Sequence, residues 1–450
     1  MDGLRLAAAA TALLAACTED DEPGASARGA ALVATVTASA LLPNVVTVRW
    51  STATPSASQV EWGEGDAFDH TTPRVSASLE HEVTVFGAPI HGAFALRAVS
   101  VGADGQRTES PPLDLVLPAP DGAPPDAEAT TTAELDGYIL VNLGVADTYW
   151  AAIVDRAGRV VWYAPAAPGW RSTSSTLSRD RRAVLYNSHS LDMLEQVGTV
   201  NRRALDGSAE SAVDAPGGHH DFVELPDGRI ALLRVDVREW EGKPVMGDTI
   251  AVTDDDGGFT TAFSAWDSMI PAPMCSHFEP VAYADNSWDW LHANSLRYDD
   301  ATASFLLMSR NLDALFAIDA ERGDVRWQLG GVASDFQFTN DAGWDHGHFS
   351  DWSPGRLAVF DNGLHRSPNR SRAVVYAVNE AERSVTLESE VANDAFEESL
   401  GDVKTLDDGV LVAWSNDGRL TQVDADGQEV WRLQFPDDVR LGHATLLAPP

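Results

Sequence analysis

Five polar residues stand at or near the ends of apolar strand patterns between residues 289 and 363. They are His292, Asn294, Arg310, His346 and His348. A packed β domain can be built without them, so these side chains are the first candidates for function. Imidazoles with one guanidinium and one amide, and no carboxylate cluster, suit an anion, because arginine offers a planar fork to a sulfuryl or phosphoryl group. One imidazole of such a set can act as a nucleophile, and another can move a proton near neutral pH.

The histidines follow a pattern along the chain. His220, His292 and His348 occupy similar phases in front of three consecutive apolar segments. Residues two apart on a strand share a face, so we expect His292 and Asn294 to point the same way. An antiparallel return of the chain would bring Arg310, sixteen residues after Asn294, back beside them.

The elements that position these residues repeat. Trp162, Trp327 and Trp431 each end a similar turn-and-strand pattern, and they lie 165 and 104 residues apart. These separations are three and two times a unit of about 52 to 55 residues. Six apolar strands, each announced by a turn, are predicted to be the inner strands of such units. One unit cannot bury both faces of its sheet alone, so the sequence predicts an all-β protein whose residues 135–450 form a six-bladed β-propeller.

A smaller pattern of alternating strands occupies residues 29–118. It includes the segments VTVRWST, SQVEWG, HEVTVFG and FALRAVSVGADGQ. These segments resemble a fibronectin type III domain, so we expect a small immunoglobulin-like β-sandwich with Trp50 and Trp62 between its sheets. His70, His81 and His91 are interpreted as structural or exposed. Residues 119–134 are rich in proline and poor in hydrophobic residues, which predicts a stiff linker.

The N-terminus is typical of an export signal. Residues 1–17 contain an apolar stretch of small residues that is too short to span a bilayer as a helix. The stretch ends in Leu-Ala-Ala-Cys, which resembles a bacterial lipobox and predicts lipidation of Cys17; an ordinary cleaved signal is the alternative. Residues 18–28 are predicted to be a disordered tether. We therefore expect an exported protein, lipid-anchored in the bacterial cell envelope, either periplasmic or on the outer surface. Cys275 is then left alone, so no intrachain disulfide is expected.

The charge balance restricts the partners. The formal net charge is −37, from 31 basic and 68 acidic residues. A surface this acidic repels a phosphate backbone, so we expect no nucleic-acid partner. An anionic substrate gains no long-range attraction either, so any anion site has to be local.

Four segments carry a resemblance to a known family. They are HHDFVELPDGRIALL, DWLHANSLRYDDATASFLLMSRN, VRWQLGGVASDFQF and GHFSDWSPGRLAVFDNG. They resemble the arylsulfotransferase family, the PAPS-independent bacterial aryl-sulfate sulfotransferases, over residues 135–450. The resemblance implies a six-bladed propeller in the periplasm or on the cell surface. It also implies ping-pong transfer of a sulfuryl group from an aryl sulfate to a phenol through a sulfohistidine, and we expect no cofactor and no metal ligand set.

The resemblance implies roles for individual residues. His348 matches the nucleophilic histidine of the family, and His220 matches the remaining active-site histidine. The sulfate-binding set is matched by His292, Asn294 and Arg310. Many members have Gln-His-Asp-Ala-Arg where this chain has Gly-His-Phe-Ser-Asp at 347–351. Because of this difference, the nucleophile could be either His348 or His346, which stands two residues earlier. His346 is also a candidate substrate contact.

Two other classes of function stay open. Several histidines that converge on a propeller axis could hold a divalent ion, although Arg310 would repel it. A non-catalytic surface propeller that binds ligands or glycans is the other class. Four further histidines are interpreted as structural: His189, His277, His365 and His443. His443 could also reach the mouth of the propeller.

Overall fold

The computed structural model describes residues 32–448 apart from 66, 132, 134, 191–194, 196, 255, 272–285 and 393–395. The predicted signal peptide with Cys17, the predicted tether, Cys275 and His277 lie outside the described residues. Within the described ranges the protein is all-β, as predicted, and its helix is the single turn α1 (Ala265–Ser268). No helix in those ranges has the length and apolar content needed to cross a membrane.

Seven strands form the N-terminal sheet. They are β1 (Ala34–Ala38), β2 (Val46–Glu64), β3 (His70–Thr71), β4 (Val75–Val85), β5 (Gly92–Gly102), β6 (Arg107–Glu109) and β7 (Leu113–Leu117). The predicted two-sheet sandwich is not confirmed, because these strands join into one half-barrel sheet. The cause is β2, which runs for 19 residues and pairs with β4 along its first part and with β5 along its second. Trp50 and Trp62 are buried in the core of this sheet.

The other strands build the propeller. In chain order they are β8 (Glu128–Thr131), β9 (Tyr138–Val145), β10 (Thr148–Asp155), β11 (Val160–Pro165), β12 (Ser175–Leu177), β13 (Ala183–His189), β14 (Gly198–Ala204), β15 (Glu210–Asp214), β16 (Gly218–Glu224), β17 (Ile230–Trp240), β18 (Lys243–Thr253), β19 (Phe259–Ser264), β20 (Trp288–Asp289), β21 (Ala293–Asp299), β22 (Ser304–Ser309), β23 (Ala314–Asp319), β24 (Val325–Gly330), β25 (Gln337–Phe338), β26 (Gly347–Ser353), β27 (Arg356–Asp361), β28 (Arg372–Asn379), β29 (Ser384–Ala392), β30 (Asp402–Leu406), β31 (Gly409–Trp414), β32 (Arg419–Val423), β33 (Glu429–Gln434) and β34 (Val439–Leu447).

These strands form six blades, as the repeat predicts. From the innermost strand outward the blades are β34-β9-β10-β11, β12-β13-β14-β15, β16-β17-β18-β19, β21-β22-β23-β24, β26-β27-β28-β29 and β30-β31-β32-β33. The short strands β20 and β25 add parallel to β18 and β29. The six strands announced by turns are thus the second strand of each blade, not the innermost. In blades two to six the innermost strand precedes the turn, and in the first blade it comes from the C-terminus.

Two pairings close the ring. The C-terminal β34 pairs antiparallel with β9, so the first blade takes its innermost strand from the far end of the chain. β8 lies within the range predicted as a linker and pairs with β33 at the outer edge of the last blade. Closure of this kind protects strand edges that would otherwise be open to pairing with other chains.

The tryptophans that defined the repeat occupy equivalent places. Trp162 lies on β11, Trp327 on β24 and Trp431 on β33, which are the fourth strands, counted from the centre, of the first, fourth and sixth blades. All three side chains are buried. Their spacing of three and two repeats therefore corresponds to three and two blades.

A belt of hydrogen bonds ties each innermost strand region to the next blade. In ring order the bonds are Ser175 Oγ to Asn142 Oδ1 (2.7 Å), Ser174 Oγ to Asp221 Oδ1 (2.6 Å), the Leu296 N–H to Asp221 Oδ2 (2.8 Å), Ser295 Oγ with Ser350 Oγ (3.2 Å), the Thr405 N–H to Asp351 Oδ2 (2.9 Å) and the Ala444 N–H to Asp402 Oδ2 (3.0 Å). A buried polar group that loses its partner costs about 1–3 kcal/mol. The belt therefore fixes the height of the inner strands relative to one another, and with it the residues at their ends.

Candidate active site

Bulges in the innermost strands of three consecutive blades present the histidines. The pairing register shifts near the start of β16, β21 and β26. Beside these shifts, His220 and His292 adopt left-handed φ values of 49° and 50°. Backbone of this kind costs roughly 1–3 kcal/mol per residue and is concentrated at functional sites. The ring centroid of His220 lies 4.9 Å from that of His292 and 6.2 Å from that of His348. The three histidines that the sequence placed in similar phases therefore meet.

The histidines line a cavity of about 710 Å³, a size suited to a small-molecule ligand. The described lining residues are Leu143, Gly144, Tyr149, Arg171, Ser172, Thr173, His220, His292, Arg310, His348, Ser399, Leu400, Asn416, Arg440, Leu441 and Gly442. Three of them are arginines and three are histidines, and none of the described lining residues is an aspartate or a glutamate. In a chain of net charge −37 this is a local reversal of sign. The cavity therefore favours an anion. It does so through local charge, because the acidic surface gives an anion no long-range attraction.

Arg310 reaches the cavity by the antiparallel return that the sequence predicted. It follows β22 directly, and its backbone N–H donates to the His292 carbonyl at 3.2 Å. Its guanidinium Nη2 donates to the Glu398 carbonyl at 3.1 Å, and the residue is 5% exposed. A guanidinium keeps its charge when it is buried. Arg310 therefore supplies a fixed positive charge close to His348.

His348 lies on β26 with its side chain almost fully buried. Burial lowers the pKa of His348 well below its ordinary value, and the charges of Arg310 and His292 lower it further, while a hydrogen bond with the Gly401 backbone opposes them. The ring of Phe349 packs edge-on against the imidazole, with centroids 4.7 Å apart. His348 is thus neutral near pH 7, the form in which an imidazole nitrogen keeps a lone pair for nucleophilic attack.

His220 contacts a second histidine, which has a buried carboxylate beside it. Its Nδ1 lies 2.9 Å from Nδ1 of His219, and Nε2 of His219 lies 3.1 Å from Oδ1 of the buried Asp248. The His220 carbonyl accepts hydrogen bonds from Thr173 Oγ1 and Asn187 Nδ2, both at 2.8 Å. Burial first, and then the neighbouring histidines, lower the pKa of His220 well below its ordinary value. His220 is therefore a neutral, fixed imidazole at the cavity wall.

His292 has a carboxylate behind it. Its Nδ1 lies 2.5 Å from Oδ2 of Asp289, which is fully buried. The side chain of His292 is 14% exposed. A carboxylate at one ring nitrogen fixes the tautomer and orientation of a histidine that moves protons. Asp289 and His292 therefore have the arrangement of a general acid–base pair.

Asn294 and His346 lie outside the described lining of the cavity. Asn294 is fully buried, and its Nδ2 donates to the Gly347 carbonyl at 2.9 Å. The bulge in β21 breaks the strict alternation of side chains, so Asn294 does not share the exposure of His292 to the cavity. His346 has a left-handed φ of 56°, and its Nε2 lies 2.7 Å from Nε2 of His365. If side chains alternated regularly along these strands, Asn294 and His346 would point into the site. In the structure both lie outside the described lining of the cavity.

The sequence profile of the Arylsulfotransferase (ASST) family matches residues 126–434, more than half of the chain. The chain belongs to the arylsulfotransferase family. Membership supports a sulfotransferase-like function and suggests aryl sulfates and phenols as the substrate class. No curated protein is similar enough to the sequence to be matched.

Solved structures resemble this arylsulfotransferase-family chain only distantly. A protein from Lactobacillus plantarum has 14% identity and a TM-score of 0.37, over 86% of this chain and all of its own. Hydrazine synthase from Kuenenia stuttgartiensis has 12% identity and a TM-score of 0.37, over 69% of this chain and 81% of its own.

The other described histidines lie outside the lining of the arylsulfotransferase cavity. The buried His443 contacts Arg297 at 3.0 Å through its Nε2, so it faces the belt, while its neighbour Gly442 lines the cavity. The further contacts are those of His189 with the Ser190 carbonyl (3.0 Å), of His70 stacked on Trp62, of His81 stacked on Trp50 and of His91 with Asp126 (3.0 Å). These contacts agree with the structural interpretation of these residues.

Four residues of the site were missed by sequence reasoning. For Asp289 the sequence does contain a signal, which is its position three residues before His292 in the segment Asp-Trp-Leu-His. Tyr149, Arg171 and Arg440 line the cavity but come from parts of the chain more than 100 residues away from Arg310. Nothing in their local sequence distinguishes them from other surface residues, and only closure of the ring brings them to the site.

Proposed function

We propose that the protein transfers a sulfuryl group from an aryl sulfate to a phenol, in a ping-pong reaction through a sulfohistidine at His348. One observation carries the proposal: Arg310 and three histidines meet in a cavity whose described lining residues include no carboxylate. Such a set can bind a sulfate ester. It can also stabilise the charge that develops as the ester bond breaks, because its donors are already in place.

The first half-reaction begins with the neutral ring of His348. A ring nitrogen attacks the donor sulfur, an N–S bond forms, and the electron pair of the breaking S–O bond leaves with the aryl oxygen. His292 gives that oxygen a proton, since it lines the cavity and Asp289 fixes its ring. The phenol departs, and the sulfuryl group stays on His348.

The sulfuryl oxygens need donors throughout the reaction. Arg310 and His220 are suited to this task because both line the cavity and both are held by backbone or side-chain contacts. We assign Asn294 to a positioning role, because its amide already donates to the Gly347 carbonyl, next to His348. This differs from the direct sulfate contact that the family resemblance implies.

The second half-reaction reverses the path with a new phenol. The acceptor oxygen attacks sulfur, the N–S bond breaks with its electron pair returning to His348, and the phenol proton passes to His292. Leu143, Tyr149, Leu400 and Leu441 provide the apolar and aromatic wall that an aryl ring needs. His346 takes no part in this scheme, since it lies outside the described lining.

The test is transfer from 4-nitrophenyl sulfate to phenol, followed by nitrophenolate absorbance. Wild type, His348→Ala and His346→Ala are compared after circular dichroism has shown that each is folded. We expect release that depends on the acceptor in wild type and His346→Ala, and a loss of about 10⁴-fold or more in His348→Ala, because the covalent route disappears. Trapping of a sulfuryl group on the wild-type chain without acceptor would identify the intermediate.

Two results would overturn the proposal. Equal release by His348→Ala and wild type would remove the sulfohistidine from the mechanism. No release by folded wild type, with several phenol acceptors, would favour the alternative of a non-catalytic propeller that binds ligands.

We propose that the chain works outside the cytoplasm, anchored by lipid on Cys17. The support is the apolar segment before Cys17 and the lipobox pattern that it ends in. In a bacterial host, wild type is expected in the membrane fraction and Cys17→Ala in the soluble fraction of the envelope. Recovery of both proteins in the same fraction would contradict lipidation.

A further inference from the structure

A second cluster of histidine and carboxylate lies at the start of β26, outside the described lining of the cavity. Nε2 of His346 lies 2.7 Å from Nε2 of His365. Oδ1 of Asp345 lies 3.8 Å from the first of these nitrogens and 3.9 Å from the second. The three potential ligand atoms all lie within 4.8 Å of one another. Three groups that could each donate a lone pair therefore face one point.

The backbone around this cluster holds the three side chains in place. Oδ2 of Asp345 accepts the His365 N–H at 2.5 Å, and the Asp345 carbonyl accepts the Gly363 N–H at 2.9 Å. The His346 N–H donates to Oδ1 of Asp313 at 2.6 Å. Oδ1 of Asp345 is buried and accepts no hydrogen bond from the described residues. The Asp345 oxygen that lacks a hydrogen bond from the described residues is thus the one near the two imidazoles.

The surrounding charges suit a cation. The ion pairs that Asp345 makes within the described part of the chain are with the two histidines. Asp313 adds a second carboxylate, whose pKa burial raises to about 6. The nearest arginine on the same loop, Arg366, directs its Nη2 to Asp361 at 2.5 Å. The cluster therefore differs in sign from the cavity, where Arg310 faces the histidines.

We propose that Asp345, His346 and His365 form a site for a divalent transition metal of the zinc type. Two imidazole nitrogens and one carboxylate oxygen are a ligand set that zinc accepts, with water in the fourth position. Two nitrogens bound to one zinc lie roughly 3.3 Å apart, given bonds of about 2.0–2.1 Å and tetrahedral angles. The His365 ring, whose side chain is 40% exposed, therefore has to move by roughly 0.6 Å to bind the ion.

The metal would join two parts of the fifth blade. His365 lies on the loop after β27, and His346 lies directly before β26, the strand that carries His348. A shared ion fixes this loop against the entry of the strand. Its role is structural and does not depend on sulfuryl transfer, so the site can exist whether or not the proposed reaction does.

The test is zinc binding by the full chain after treatment with EDTA and dialysis. Titration calorimetry with Zn²⁺ and elemental analysis are expected to give one zinc per chain. His365→Gln and Asp345→Asn should each weaken binding by roughly 100-fold or more, because outer-shell partners alone are worth about 10- to 100-fold. His91→Gln is the matched control, since His91 is an exposed histidine paired with Asp126. It should bind zinc like wild type.

A spectroscopic readout separates the site from nonspecific binding. Co²⁺ in the zinc position should give the visible absorption of a four-coordinate ion in wild type and His91→Gln, and not in His365→Gln. Absence of zinc from wild type, or binding by His365→Gln and Asp345→Asn as tight as that by wild type, would overturn the proposal and leave a hydrogen bond between two imidazoles. Zinc that is lost in His292→Gln but kept in His365→Gln would also overturn it, because the ion would then lie in the cavity.

Discussion

Two histidine clusters meet at the start of one strand, and they differ in the charge beside them. His348 faces Arg310 in a cavity whose described lining has no carboxylate. His346, only two residues earlier, lies 3.8 Å from Asp345 and contacts a second histidine instead. An imidazole can donate a hydrogen bond to an anion or attack it as a nucleophile, and it can bind a metal cation as a ligand. Under the two proposals, the neighbouring charge decides which kind of ion a histidine cluster holds.

The backbone separates the two clusters over a very short distance. In a regular strand, residues two apart share a face. Here His346 has a φ of 56°, and Phe349 has a φ of 37° beside the register shift of β26. The chain is therefore irregular on both sides of His348. One bulged strand end can thus direct His348 towards the proposed anion site and His346 towards the proposed cation site.

The largest effect that separates the clusters is expected from Arg310→Gln. The substitution removes the fixed charge beside His348 and leaves a shorter, uncharged polar side chain. We expect kcat/KM for 4-nitrophenyl sulfate to fall by about 10²- to 10³-fold, because a preorganised donor to the transferring group is lost. Zinc binding should not change, since the ligand atoms of the second cluster lie outside the described lining of the cavity.

The control for this variant is Arg229→Gln. Arg229 is an exposed arginine paired with Asp227 on a hairpin turn, and it is not among the described lining residues. It should keep wild-type activity. A loss of less than about threefold in Arg310→Gln would show that its charge does not act on the transferred group.

Asp289→Asn should have the next largest effect. The substitution keeps the shape of the side chain but removes the carboxylate at Nδ1 of His292. We expect transfer from phenyl sulfate to fall by about 10²-fold, because a poor leaving group needs the proton that His292 supplies. With 4-nitrophenyl sulfate, a better leaving group, the loss should be about 10-fold or less.

The ratio of the two rates distinguishes positioning from damage to the fold. A structural defect would lower both rates equally, whereas a proton-transfer defect depends on the leaving group. Equal losses with the two donors would therefore contradict the assignment of His292 as the acid. Asp248→Asn alters the carboxylate beside His219 in the same way. It tests whether Asp248 and His219 contribute to the rate of transfer.

The repeat and the convergence of the site residues could be read from the sequence because each depends on spacing alone. Around the ring, Trp327 lies three blades after Trp162, Trp431 lies two blades after Trp327, and one blade separates Trp431 from Trp162. Residues at the same point of each sequence repeat therefore occupy equivalent positions in the blades. The same logic brought His220, His292 and His348 together. The innermost strands were misplaced because they carry more polar residues and four of them are bulged, so their apolar pattern is weak compared with that of the second strands.

The misplaced side chains have a common physical cause. Asn294 and His346 were assigned by strict alternation, and both stand where the backbone departs from a regular strand. The N-terminal sandwich was predicted from alternating segments that resemble a fibronectin type III domain, but the 19-residue β2 passes through the expected break between sheets and joins them. Long-range contributions such as Arg171 and Arg440 depend on ring closure. A sequence pattern that reports only local periodicity carries no information about any of these features.

The smallest expected effect concerns His443, which lies on the belt outside both clusters. Burial lowers the pKa of His443 well below its ordinary value, and the charges of Lys404 and Arg297 lower it further. Asp402, whose Oδ2 lies 3.7 Å from the ring, is the carboxylate that faces it. The folded chain therefore keeps this ring neutral, while the unfolded chain takes up a proton as the pH falls below about 6.5. Stability from this residue is present above that pH and is lost as the pH falls.

His443→Gln removes this proton and should flatten the pH dependence of unfolding. Between pH 7 and 5.5, the free energy of unfolding of wild type should fall by about 1 kcal/mol more than that of the variant. Urea unfolding at the two pH values measures the difference, and groups common to both proteins cancel. His70→Gln, an exposed histidine stacked on Trp62 in the N-terminal sheet, should keep the wild-type pH dependence. Equal pH dependence of wild type and His443→Gln would mean that the belt admits the proton, and that the charges around Arg297 rearrange rather than exclude it.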